Sequence, residues 1–170
     1  KICKLAGVDV VFLPKKSDIY GSDEVSLKAP NIRGFVLEGA TRPGHFDGVL
    51  TVVNKLFNIV NPNYAYFGKK DAQQLNLITL MVKQLFLDVK IVPIDTVRES
   101  DGLALSSRNI YMSKEQRVEA LKISRSLYEA SKMIQKKIYK TEKIKEVMSE
   151  ILVPLKVGYI EILNRDFETI

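Results

Sequence analysis

The sequence predicts an α/β protein built on a parallel sheet, and three observations carry that prediction. An apolar strand at Tyr64–Phe67, a helix opening at Asp71 and a second strand at Val89–Ile94 follow one another within about 30 residues, the length of a β-α-β unit. Such a unit implies parallel strands and a right-handed crossover. The 170 residues are 46% hydrophobic, enough for one core with a small satellite and far from a disordered composition. Glycine- and proline-rich turns separate the periodic segments, so the elements are bounded by their own chemistry.

Each element can be justified in turn. Lys1–Ala6 reads as the end of a helix with Gly7 as its C-cap. Val8–Leu13 reads as a mostly buried strand stopped by Pro14. Residues 15–46 are turn-rich, with weak strands expected at Glu24–Ala29 and Arg33–Val36. From Asp47 the residues Val49, Val52, Val53, Leu56, Phe57 and Val60 repeat with helical period until Pro62. The helix from Asp71 turns Leu75, Ile78, Val82, Leu85 and Phe86 inward. Beyond Arg98 the character changes. A helix over 114–138 carries Ile123, Leu127, Ala130, Ile134 and Ile138 on one face. Another begins near Thr141, its expected N-cap, and buries Ile144, Val147, Met148 and Ile151 until Pro154, with a strand expected at Val157–Leu163. This pattern suggests two domains, residues 1–97 and 98–170, the second a smaller α+β domain.

The charge balance narrows the chemistry. Net charge is +6, but the excess is spread over both halves apart from Lys136, Lys137, Lys140, Lys143 and Lys145. Nucleic-acid binding usually requires a concentrated patch, so a solvated helix face is the simpler reading of that cluster. A single cysteine, Cys3, permits no internal disulfide and suits a reducing compartment. No apolar run reaches membrane-spanning length. The first residue is not Met, and the chain is expected to be a piece of a longer protein.

Two loops carry the functional signal. In Tyr66-Phe67-Gly68-Lys69-Lys70-Asp71, a strand runs into a glycine turn with two lysines and then a helix N-terminus. Backbone N–H groups, helix dipole and ammonium then converge where a polyphosphate would sit. Lys70 is the expected phosphate ligand, and Lys69 a backbone contributor. Asp71 is expected to cap the helix while leaving an oxygen for ribose hydroxyls. Gln74, one turn on, faces the same mouth and suits hydroxyl and carboxylate groups. In Asp101-Gly102-Leu103-Ala104-Leu105-Ser106-Ser107-Arg108-Asn109, two hydroxyls and a guanidinium suit a leaving pyrophosphate. The only histidine, His45, lies in a Gly/Pro loop without a second His or a Cys cluster, and reads as structural.

These two blocks, with Leu37-Glu38-Gly39-Ala40-Thr41-Arg42-Pro43-Gly44-His45-Phe46-Asp47-Gly48-Val49, closely resemble the pantothenate synthetase family, in order along the whole chain. The resemblance implies a Rossmann-like sheet of the nucleotidyl-transferase superfamily, with residues 1–97 an incomplete nucleotide-binding domain and 98–170 a C-terminal lid domain, and a cytoplasmic homodimer. It implies adenylation of pantoate by ATP, with Mg2+ held by the phosphates, followed by transfer to β-alanine. Gly68, Lys69, Lys70 and Asp71 would line ATP, with Lys70 on the phosphates and Gly68 and Asp71 near the ribose. Val97 would meet adenine through its backbone, Leu105, Ser106, Ser107 and Arg108 would close over the phosphates, and Gln74 would bind pantoate. Lys70, Ser106, Ser107 and Arg108 would be the catalytic set. Lys69 and Ala72 depart from the family pattern without removing a catalytic side chain. The family's His-x-Gly-His region is expected to precede Lys1 and its last strands to follow Ile170, so the segment alone is expected to be inactive. Two other readings are another nucleotidyltransferase of the superfamily and a basic nucleic-acid-binding module using the Lys136–Lys145 cluster.

Overall fold

The computed structural model describes residues 2–168 and 170. Lys1, and with it the expected start of the first helix, lies outside the described residues. In chain order the elements are α1 (Ile2–Leu5), α2 (Lys16–Ile19), α3 (Glu38–Thr41), α4 (His45–Val60), β1 (Tyr64–Gly68), a 3₁₀ turn (Lys69–Asp71), α5 (Ala72–Gln84), β2 (Lys90–Ile94), a second 3₁₀ turn (Ser107–Tyr111), α6 (Lys114–Gln135) and α7 (Thr141–Leu152).

The β-α-β unit forms as expected. β1 and β2 pair in parallel, with Tyr64 opposite Lys90 and Gly68 opposite Ile94. α4 and α5 pack together and supply most of the core: Phe46 and Leu50 from α4, Leu77, Ile78 and Met81 from α5, with Ala29. Phe67 and Ile91 of the two strands close it from below. The large, fully buried side chains among them, such as Leu77 and Ile78, contribute roughly 1.5–3 kcal/mol each on burial. Asn61, in the left-handed conformation, caps α4 by donating its N–H to the Phe57 carbonyl at 2.8 Å.

Several sequence expectations are corrected. Val8–Leu13 is irregular and exposed rather than a buried strand. Among the described residues no strand lies beside it, because β1 pairs only with β2. Glu24–Ala29 and Arg33–Val36 form no strands either. Side chains of α4 take the ladder's place along 27–29: Leu27 N–H donates to Thr51 Oγ1 at 2.9 Å and Ala29 N–H to Asp47 Oδ1 at 2.8 Å. α4 begins at His45, two residues early, and buries Phe46, Leu50 and Thr51, so Val60 is exposed. α5 turns Leu77, Ile78 and Met81 inward but leaves Leu85 and Phe86 exposed, since the helix ends at Gln84 and Phe86 takes a positive φ of 53°.

α6 and α7 share a second core of Ala130, Ile144 and Met148, joined by Met133, Ile160 and Ile162. The buried face of α6 therefore runs through Ser126 and Ala130, and Ile123, Leu127 and Ile134 are about half exposed. Thr141 is the first helical residue of α7; the N-cap position is Lys140, which makes no side-chain cap. Val157–Leu163 forms no named strand. It is held instead by Ile160 and Ile162 on the second core and by a Lys145–Glu161 ion pair at 2.5 Å.

Asp47 ties the 27–29 segment to α4, because its second oxygen accepts from Lys28 Nζ at 2.9 Å. The Ala29 N–H first, and then the Lys28 ammonium, hold its carboxyl below the usual carboxylate range. A depressed native value stabilises the fold above the unfolded value, about 3.9, and that stabilisation fades as pH falls through the native one. Asp47→Asn is thus expected to flatten the acid limb of stability. Urea midpoints at pH 6 and pH 3 check this, and an unchanged difference between them would refute it.

Candidate active site

The carboxyl ends of parallel strands are where open α/β sheets bind ligands. Here a cleft of about 380 Å³ opens beside the end of β1, between the start of α5 and the segment 159–167. Lys70, Asp71 and Gln74 line it, as the sequence suggests. Facing them are Glu38 and Arg42 around α3, His45 at the start of α4, and Tyr159, Glu161 and Phe167 from the far end of the chain. Acid, base, amide and phenol thus share one chamber.

The 3₁₀ turn explains why the two lysines differ. Lys69 points away from the cleft and pairs with Asp95, just past β2, at 2.5 Å, pulling that carboxyl down. Lys70 points inward and lies 3.8 Å from Asp71. Asp71 occupies the N-cap position of α5 but makes no side-chain cap, so its carboxylate is left to the cleft.

Gln73 holds the opposite wall in shape. Its side-chain N–H₂ donates to the carbonyls of Arg33 at 2.8 Å and Val36 at 2.9 Å. Those bonds lie directly before Leu37, whose φ of 52° and ψ of −120° is strained for a residue with a side chain. Glu38, next in line, accepts a hydrogen bond from the Tyr159 hydroxyl at 3.1 Å. Burial, and then that carboxylate, push the phenol above its ordinary value.

The second loop does not line this cleft. Val97, Leu105, Ser106, Ser107 and Arg108 are not among the lining residues, nor are Gly68 and Lys69. Val97 and Leu105 are exposed. Ser106 caps the second 3₁₀ turn by accepting from the Arg108 N–H at 3.2 Å. Sequence reasoning gave Glu38 and Arg42 no role, set His45 aside as structural, and passed over Tyr159 and Glu161. The first three carried a signal in their shared Gly/Pro loop. Tyr159 and Glu161 reach the cleft only through tertiary structure. Among the described residues no three His, Cys, Asp or Glu side chains are grouped as a metal site requires. No described helix is long and apolar enough to cross a membrane.

A parallel β-α-β unit with a ligand-sized cleft just past the end of β1 defines an α/β protein, consistent with the nucleotidyl-transferase-like fold. The chain belongs to the pantoate-beta-alanine ligase family, whose model matches residues 1–169. It is 65% identical over 167 residues to the pantothenate synthetase of Sulfurimonas denitrificans, covering 98% of this chain and 61% of that protein. Identity to the pantothenate synthetase of Campylobacter fetus is 55%, covering 100% and 62%. The chain thus spans somewhat less than two thirds of the length of these relatives. The crystal structure of pantothenate synthetase from Thermus thermophilus superposes with a TM-score of 0.95 at 37% identity, covering 99% of this chain and 63% of that one. A Francisella tularensis pantoate-beta-alanine ligase, complexed with beta-gamma ATP and beta-alanine, superposes at 0.78 with 36% identity, covering 96% and 60%.

Proposed function

We propose that the whole protein to which this chain belongs joins pantoate to β-alanine in an ATP-dependent ligation, yielding pantothenate, AMP and pyrophosphate. What carries this reading is that Lys70, Asp71 and Gln74 share one cleft in a chain whose close relatives are pantothenate synthetases. In the first step a pantoate carboxylate oxygen attacks the α-phosphorus of ATP. A P–O bond forms, the bond to the β-phosphate bridge breaks, and pyrophosphate leaves with its electron pair. In the second step the β-alanine amine attacks the acyl carbon, AMP leaves, and the nitrogen gives up a proton.

Lys70 would follow the charge that builds on the phosphoryl oxygens, where a fixed cation acts most strongly. Gln74 would orient pantoate through its hydroxyl and carboxylate groups, and Gly68 and Asp71 would lie near the ribose. Lys69 would contribute backbone, and Val97 would meet adenine. Leu105, Ser106, Ser107 and Arg108 would close over the triphosphate, their domain (98–170) acting as a lid on 1–97. Since these residues stand outside the present cleft, closure is part of the proposal. Mg2+ would enter as the ATP complex, held by phosphate oxygens. Two copies would associate in the cytoplasm, a point that sedimentation of the whole protein tests.

The deciding experiment incubates the whole protein with MgATP and pantoate, with and without β-alanine. AMP release that depends on β-alanine is the expected result. A stable nucleotidyl product indifferent to β-alanine would replace the reading with that of another transferase.

A further inference from the structure

The loop at 97–109 is built around one arginine to which the ligation chemistry assigns no role. Arg117, in the first turns of α6, donates from Nε to Asp101 Oδ2 at 2.8 Å and from Nη2 to the same oxygen at 2.6 Å. The same Nη2 reaches Glu99 Oε2 at 2.8 Å. Glu99 spends its other oxygen on Asn109, whose side-chain N–H₂ donates to Oε1 at 2.8 Å and to the Ala104 carbonyl at 3.1 Å. The two carboxylates therefore grip the loop at both ends of the Ser106–Arg108 segment.

Backbone bonds complete the frame. Arg98 and Ala104 form an antiparallel bridge, Leu105 N–H donates to the Val97 carbonyl at 2.9 Å, and Leu103 is buried. The Leu103 N–H in turn donates to Asp101 Oδ1 at 3.1 Å. Within this frame, and among the described residues, the Ser107 hydroxyl and the Arg108 guanidinium make no hydrogen bond. The frame is tightly bonded while the groups it presents are uncommitted, the pattern of a supported ligand-binding loop.

Charge supplies a second reason for an arginine here. Glu99 and Asp101 place two carboxylates at the base of a loop proposed to approach a polyphosphate. Without a cation between them they would repel both each other and that ligand. One planar guanidinium bridges both and cancels part of their field; a lysine ammonium lacks the fork needed to hold two acceptors in one plane.

We infer that Arg117 is a positioning residue for nucleotide binding, fixing the Ser106–Arg108 segment against α6 so that loop and helix move as one body. This rests on the reading that Ser106–Arg108 contacts the triphosphate, and the test separates the two.

In the whole protein, Arg117→Met is expected to raise the KM for ATP about tenfold or more, with the KM for pantoate held within about twofold. A merely structural role would reduce the amount of active enzyme without this split. Arg117→Lys is expected to recover part of the ATP affinity, and full recovery would overturn the bridging role. Arg108→Ala should also raise the KM for ATP; if it does not, the underlying loop reading falls, and this inference with it. If Arg108→Ala raises it and Arg117→Met does not, the inference alone fails. Should Arg117→Met not fold, the double variant Glu99→Gln/Asp101→Asn, which keeps the arginine and removes its charged partners, takes its place. A raised KM for ATP is expected there too, and an unchanged value in that folded variant would overturn the proposal.

Discussion

Lys70→Ala in the whole protein is expected to slow adenylate formation by about 10²–10³-fold, the usual cost of removing one preorganised charge stabiliser. The argument is geometric. Lys70 leaves a rigid 3₁₀ turn at the end of β1, is half exposed in the cleft, and is tied only to Asp71 at the long distance of 3.8 Å. Its ammonium is therefore free to follow an anion. Because charge on the phosphoryl oxygens grows towards the transition state, kcat should fall more than the KM for ATP rises. Lys69→Ala is the internal control. That ammonium already serves Asp95 outside the cleft, so its loss should cost much less. Single-turnover formation of the acyl adenylate measures both, and equal losses for the two lysines would sink the assignment.

Gly39→Ala is expected to destabilise the fold by about 3 kcal/mol through overpacking. For a chain of this size that lowers the melting temperature by roughly 6–12 °C. A Cβ on Gly39 would collide with the Gly34 carbonyl group and press on Phe46 Cδ2 at 3.4 Å. The first contact is with backbone, so no rotamer relieves it. Gly48→Ala, in the first turn of α4 with open space around its Cβ position, should leave stability unchanged or raise it slightly. Thermal unfolding of the two variants makes the comparison, and similar melting points would refute the packing argument. Since Gly39 follows Glu38 directly, the collision also disturbs the cleft wall.

The parts of the fold that were legible in sequence are those whose signal is local. The β-α-β unit declared itself because Tyr64–Phe67 and Val89–Ile94 flank a helical period and find each other across a short crossover. Ends of helices were legible where chemistry marks them, as at Pro62 and Pro154. Burial faces were less so: α6 presents Leu127 half exposed and hides Ser126, because its partner α7 approaches from a direction that periodicity alone does not specify. The expected strands at Val8–Leu13 and Val157–Leu163 fail for a related reason. A strand is a property of a pair, and β propensity cannot supply the neighbour. Within the cleft, Lys70, Asp71 and Gln74 were readable from a strand–turn–helix pattern, whereas Tyr159 had no such marker.

Segment 159–167 is attached unevenly to its two sides. Towards α6 and α7 it is fastened by Ile160 and Ile162, buried in an apolar cluster. Towards α5 and the segment around α3 it is held by exposed polar links: Tyr159 to Glu38, the Arg165 carbonyl to Asn76, and Asp166 to Arg33. Water can replace those links at small net cost, while parting an apolar cluster is far dearer. The molecule therefore has a zipper-like seam along the floor of the chamber, and mechanical work applied across it yields there before either half loosens.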